Sequence, residues 1–286
     1  MIIFSCIYAY LFIHFMLPLT LFDLRAFIES YPIVVGGIGS IYKNDNDVYK
    51  ITFSSSSFIN CQAAYTHKGI TFSLQCLNNA VSQCTLAEMD TSATPPAANG
   101  YGIKVGDGTI NCEGTQIDSC TIYGVARGLW VHGSIDVLAS KNILDAIAEF
   151  GVIADSTGSA GSVNNNFSDN YIGVAGSGGS AGVYLVNAFA GTDSQNNGTI
   201  VRGNEILAYS GATLTYGILI DGAYEKRNSI TENRVSNTAA YDCRITTGTD
   251  HRVSGHLWRS ASGTGTPGAI PAIPDVSYTR NLCGAS

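Results

Sequence analysis

The apolar and polar positions of this chain repeat. The stretch Ile230-Thr231-Glu232-Asn233-Arg234-Val235 holds an apolar residue, two spacers, an Asn, one spacer and a second apolar residue. The same template recurs at 201–206, 167–172 and 139–144, centred on Asn204, Asn170 and Asn142. Earlier copies place Cys120, Cys84 and Cys61 at the centre, and later ones place His256 and Asn281 there. Successive centres lie 23, 36, 22, 28, 34, 29, 23 and 25 residues apart. One structural unit is therefore repeated, with loops of different length spliced in.

A second piece, Gly-apolar-x-apolar, occurs in each period at 69–72, 102–105, 128–131, 151–154, 182–185 and 217–220. Residues 240–243 read as a degenerate seventh copy. A third short apolar piece precedes several templates, at 108–110, 133–135, 161–163 and 198–200. Each period thus predicts three short strands with polar or glycine bends between them, the pattern of a stacked solenoid. Within the template, Asn233 and Val235 are two apart and share a face, whereas Ile230 and Asn233 are three apart, so the chain bends between them. Asn at that bend either serves the turn alone or points inward and hydrogen-bonds up the stack. Its recurrence between fixed apolar flanks favours the inward ladder.

The 286 residues, with 45% hydrophobic and only 13% charged, suffice for a large core. Abundant glycine (32) against few prolines (7) fits a β-rich chain with many tight bends. The formal charge of -7 and the lack of any Arg-rich run argue against nucleic acid as a partner. Residues 1–22 are apolar apart from His14 and scattered hydroxyls, so segment 1–30 reads as a membrane anchor or export signal, or as an upstream artefact of gene calling. Residues 31–286 are read as the one structural domain. The polar turn at 43–47 leads into the first repeat; Asp45 and Asp47 there fit a solvated turn better than a calcium site. Residues 86–99 hold a short helix or an extended loop. No Cys-x-x-Cys occurs among the eight cysteines, so no zinc site is indicated. Cys61, Cys84 and Cys120 fall on the ladder position and read as buried thiols in preference to disulfides. Asn166-Phe167-Ser168 and Asn197-Gly198-Thr199 are glycosylation sequons.

These repeats, Asn templates interleaved with Gly-apolar-x-apolar strands over about 51–283, resemble the right-handed parallel β-helix proteins of the pectate-lyase-like superfamily. That group includes polysaccharide lyases, polygalacturonases, uronan epimerases and phage tailspikes. The resemblance implies an all-β, single-stranded right-handed parallel β-helix of about nine rungs. It also implies an extracellular or virion-surface protein that binds, and in the enzymatic version depolymerises, an extended polysaccharide. The other function class is a non-catalytic adhesin or structural fibre subunit. The enzyme motifs themselves are missing. Val131-His132-Gly133 and Arg244-Ile245-Thr246 do not match the polygalacturonase segments, and no adjacent Asp pair or Arg-x-Pro-x-x-Arg is present.

Function is sought on outward positions. Residues one and three after each Gly face inward, and two and four face outward. The first outward column reads Thr71, Lys104, Trp130, Ile153, Tyr184, Leu219 and Asp242; the second reads Ser73, Gly106, His132, Asp155, Val186, Asp221 and Arg244. Trp130 and Tyr184 offer flat surfaces to sugar rings. Lys104, Asp242 and Arg244 supply polar contacts beside them. His132 and Asp155 fall on adjacent rungs, as a base and its orienting carboxylate. Asp155 and Asp221, two rungs apart, are spaced by roughly 9 to 10 Å, near the inverting-glycosidase range. Ordinary surface decoration is the competing reading for all of these charges. No cofactor is indicated; calcium has no motif. The last template ends without an amphipathic cap, so self-association, for example as a trimer, is expected.

Overall fold

The computed structural model describes side chains for residues 57–59, 69–73, 76–87, 100–156, 160–175, 180–186, 198–209, 212, 214–222, 224–246, 248 and 250–255, and further strands by backbone pairing alone. The apolar segment 1–22, the stretch 88–99, the centres Cys61, His256 and Asn281, and Cys6 and Cys283 lie outside the described side chains. Every described element is a β-strand, and no helix occurs among the described residues. The strands Ile41–Lys43 and Tyr49–Ile51 pair antiparallel. Tyr49–Ile51 then pairs parallel with Lys68–Phe72, the strand of the first Gly-apolar-x-apolar piece. Residues 44–47 of the expected turn lie outside the described residues.

Val34–Val35 pairs antiparallel with Ser57–Ile59 at one edge. From there each later pass of the chain adds one parallel strand to each of the same tracks. A ten-stranded sheet contains Ser57–Ile59, Ala80–Ser82, Gln116–Asp118, Leu138–Ser140, Asn166–Ser168, Ile200–Arg202, Ser229–Thr231 and Arg252–Ser254 in chain order. A seventeen-stranded sheet holds two further tracks. One follows the ladder position, as in Thr121–Tyr123 beside Ile143–Ile147; the other is the Gly-led track, as in Arg127–His132 beside Phe150–Asp155. The twelve-residue strand Arg234–Ile245 belongs to both tracks and joins them. All-parallel strands returned to the same tracks by every circuit are consistent with a solenoid.

The core follows from the alternation. The central residue of each of these eight strands points inward, as Phe58, Val81, Ile117, Ala139, Phe167, Val201, Ile230 and Val253. Leu86, Ile122, Leu144, Ile172, Ile206 and Val235 meet them from the second track. The Gly-led strands supply residues one and three after the glycine, from Ile70 and Phe72 through Ile218 and Ile220. Each such aliphatic contributes about 1.5–3 kcal/mol through burial. The glycine itself is needed for close approach. A Cβ at Gly102 would lie 2.5 Å from Ile122 Cγ2, and one at Gly182 would lie 2.3 Å from Ile206 Cγ2.

At the template bend the predicted ladder exists. Asn142 donates through Nδ2 to Asn170 Oδ1 (3.0 Å), Asn170 to Asn204 Oδ1 (2.9 Å), and Asn204 to Asn233 Oδ1 (2.9 Å). The same oxygens accept the backbone N–H of the preceding member, and Nδ2 also donates to a carbonyl one circuit back, as Asn204 to Phe167 O at 2.9 Å. Where cysteine replaces Asn, Cys120 N donates to Asn142 Oδ1 and the thiol donates to Val81 O.

A second buried column, five residues before the first, was missed in the sequence reading: Asn79, Thr115, Val137, Asn165, Thr199, Asn228 and His251. Asn165 Oδ1 accepts from Val137 N, Asn228 Oδ1 from Thr199 N, and His251 Nδ1 from Asn228 N. The residue before each ladder member in both columns has positive φ, for example Asp136 (54°) and Lys141 (54°), Arg227 (54°) and Glu232 (57°). For a residue other than glycine this costs roughly 1–2 kcal/mol. At Asn142, Asn165, Asn170, Asn204, Asn228 and Asn233 it persists because the bend delivers a hydrogen-bonded amide into the core.

Two expectations shift. The third short piece is correct at Ser134–Ile135, which bridges to Val163. In the neighbouring circuits, however, the paired strands are Cys112–Glu113 and Asn196–Asn197, not 108–110 or 198–200. The seventh Gly-type copy is displaced by two. Ile218 pairs with Cys243 and Ile220 with Ile245, so Asp242 takes the glycine position and Arg244 the outward position two beyond it.

The described cysteines are buried thiols. Cys112 is held well above the ordinary thiol range by its hydrogen bond with Cys76 and then by burial, and Cys120 likewise by Cys84. Burial pushes Cys243 up to about 12. These thiols should resist iodoacetamide at about pH 8 in the native protein and label only in denaturant; labelling under native conditions would show the stack to be open. Asn204→Ala removes an acceptor from Asn170 and a donor to Phe167 O and should destabilise by about 3 kcal/mol or more in urea melts. Asn204→Cys, which the column already tolerates at Cys120, should cost distinctly less.

Candidate functional site

The Gly-led strands carry a continuous outer face whose columns are set by register. Thr71, Lys104, Trp130, Ile153, Tyr184 and Leu219 are directly paired in that order, as read from the sequence, but the next member is Arg244 and not Asp242. His132 pairs with Asp155, and Asp155 with Val186. Asp221 follows, since Asp221 N donates to Leu185 O, and Thr246 follows in turn through its N–H to Ile220 O. Arg244 therefore leaves the column it was assigned.

Asp242 leaves the face altogether. Standing where six earlier copies have glycine, its side chain is 2% exposed. Oδ1 accepts from Thr238 Oγ1 at 2.5 Å, while Oδ2 has no hydrogen-bond partner. Its expected ligand contact is thus corrected to a core position. The sequence reading erred because it took Ala240 for the glycine equivalent.

A further column was overlooked, formed by the residue just before each glycine: Tyr101, Arg127, Phe150, Ala181, Tyr216 and Tyr241, paired in register. Its sequence signal was an aromatic or cationic residue preceding nearly every Gly of the repeat. With it, six consecutive strands each carry an aromatic ring on this side of the sheet: Tyr101, which is buried, and Trp130, Phe150, Tyr184, Tyr216 and Tyr241, which are partly exposed.

At one end the rings and charges are packed on one another. Lys104 Nζ lies 3.8 Å and Arg127 Cζ 4.5 Å from the Trp130 ring centroid. Trp130 is therefore not the bare platform expected of it; cations cover the ring. Tyr101 meets Trp130 edge-on at 5.7 Å, and Tyr101 OH shares a 2.8 Å hydrogen bond with Thr71. Arg127 Nε also pairs with Glu149 Oε2 at 3.3 Å.

The structure brings His132 and Asp155 together. His132 Nδ1–H donates to Asp155 Oδ1, and the Trp130 indole N–H donates to Asp155 Oδ2 at 3.1 Å. The two side chains are only 14% and 9% exposed. A carboxylate accepts, so Nδ1 carries the hydrogen of this bond, and Nε2 forms the opposite edge of the ring. That edge lies beneath a turn, since a Cβ on Gly108 would fall 2.2 Å from Nε2. Asp221 is not part of this pair. It accepts from Thr246 Oγ1, and the Val186 strand separates it from Asp155.

In the middle of the face Tyr184 packs on Phe150 at 5.1 Å. Burial raises its phenol pKa, and the charges of Asp221 and then Asp155 raise it further. At the far end Tyr216 and Tyr241 stack with rings 6.2 Å apart, Arg244 lies over both, and its Nη1 donates to Tyr216 OH at 3.1 Å. Among the described residues no group of three or more His, Cys, Asp or Glu side chains is arranged to hold a metal ion.

No protein-family model matches this chain, and no curated protein matches it in sequence.

Burial raises the Asp242 carboxyl above its ordinary value of 3.8, and the Thr238 hydrogen bond opposes this only in part. A raised folded pKa favours folding while the group is protonated, and that advantage is lost as pH rises through the folded value. Asp242→Asn should therefore be more stable than the parent at neutral pH by roughly 1 kcal/mol. The difference should close as pH falls below about 4. Equal melting temperatures across that pH range would contradict the buried, unpaired carboxylate.

Proposed function

We propose that the Gly-led face binds an extended carbohydrate, as the outer surface of a right-handed parallel β-helix of about nine circuits. The observation that carries this reading is the run of four partly exposed aromatic rings, Phe150, Tyr184, Tyr216 and Tyr241, on consecutive, in-register strands, continued by Trp130 beneath its cations. At a spacing of roughly 4.8 Å per strand, such a run follows a linear ligand along the stack. Aromatic faces take the C–H surface of sugar rings, and the interspersed Asp, His and Arg groups take their hydroxyls. The protein acts outside a cell or on a virion surface, delivered or anchored by residues 1–22, and assembles with copies of itself.

A second reading, glycan depolymerisation by hydrolysis or elimination, is favoured by the His132–Asp155 hydrogen bond, a base with its orienting carboxylate. It requires the turn around Gly108 to lift from His132 Nε2. Asp221 then supplies the second carboxylate. Without turnover the same face describes an adhesin or fibre subunit.

The test is a panel of neutral and acidic glycans, with binding followed by calorimetry and cleavage by reducing ends and unsaturated uronide absorbance. Tyr184→Ala should weaken binding roughly threefold to tenfold without lowering the melting temperature appreciably. A protein that binds no glycan in the panel would remove the proposal. Cleavage that persists in the combined His132→Ala, Asp155→Ala and Asp221→Ala variant would remove the catalytic assignment alone.

A further inference from the structure

Resting on the carbohydrate reading, we infer that the centre of the face, around Tyr184, selects a neutral, hydroxyl-rich sugar and rejects uronic acids. The strand Ala181–Val186 lies between Phe150–Asp155 and Leu214–Ile220. Its Val186 therefore has Asp155 on one side and Asp221 on the other, each one strand spacing away. A sugar lying on the Tyr184 ring would have the Asp221 carboxylate on one flank and, on the other, the buried Asp155 carboxylate already held by His132 and Trp130. Asp221 gives Oδ1 to Thr246 and keeps Oδ2 for a ligand, a group that accepts from sugar hydroxyls and repels a sugar carboxylate. The phenol of Tyr184 already experiences both negative charges.

The cations of the face do not offset this. Lys104 and Arg127 sit against Trp130, with Arg127 also paired to Glu149, and Arg244 is bonded to Tyr216. In register, Arg244 is two strands from Tyr184, roughly 10 Å, and Lys104 is three. Along the sequence the region is also poor in counter-charge, with Lys141 just before it and Lys226 and Arg227 just after it. From residue 142 to 225 the chain contains one Lys or Arg, Arg202, against eight Asp or Glu. Arg202 lies on the ten-stranded sheet, away from the face. The net charge of -7 adds a field of the same sign.

The experiment compares a panel of neutral oligosaccharides with uronic-acid oligosaccharides of matched length, using the parent chain and Asp221→Asn, with thermal melts to confirm that both are folded. The parent should bind neutral members and leave the uronides at least tenfold weaker. Asp221→Asn should weaken the best neutral ligand about tenfold, through loss of a charge-assisted hydrogen bond, and should narrow the gap to the uronides. Tighter binding of uronides by the parent, or a gap unchanged by Asp221→Asn, overturns the inference while leaving carbohydrate binding intact. Binding of neither class overturns the carbohydrate reading itself.

Discussion

Every circuit of this chain must come back one strand spacing above the last, and its bends must carry backbone N–H groups into the core without leaving them unbonded. Those two demands meet in the buried side-chain columns. At Asn142, Asn170, Asn204 and Asn233 an amide supplies a donor and an acceptor in the direction of stacking. The orphaned N–H of one bend is thereby satisfied by the side chain of the next. Asn165 and Asn228 do the same on the second column. The bends themselves are unfavourable locally, because Lys141, Arg227 and Glu232 have little intrinsic tendency to adopt positive φ. Their conformation is imposed by the stack, in which each amide is bonded on both sides.

The same stacking builds the outer face. Because strands are parallel and in register, residues at equivalent repeat positions form columns, and a preference at one position becomes a stripe. Glycine at Gly102, Gly128, Gly151 and Gly182 lets the two tracks of the large sheet approach. The residue before it and the residue two after it then project outward as rings. Asp242 marks where this rule lapses. With a side chain at the glycine position, the carboxyl is turned inward and buried.

Charge gives the face its direction. Cations gather at its two ends, each already held on an aromatic ring, while the middle carries Asp155 and Asp221 on either side of Val186. Asp155 organises His132 and Trp130 at once, so its carboxylate orders the end of the face as much as it charges it. This polarity distinguishes the surface from the basic grooves that acidic polymers require.

The repeat, the parallel β character, the inward Asn column and most of the outward columns were legible in the linear chain. They depend on periodicity, and a period survives insertions of any length. The second buried column was also legible in principle, five residues ahead of the first, but its members change between Asn (Asn79, Asn165, Asn228), Thr (Thr115, Thr199), Val137 and His251 and so leave no single template. Register at Asp242 and Arg244 could not be read. Both frames present alternating residues to the core, and only pairing with Leu214–Ile220 selects between them. Which groups would be covered was likewise decided in three dimensions. Trp130 meets Lys104, and His132 lies beneath Gly108, because separate circuits bring them together, and no spacing along the chain encodes that contact.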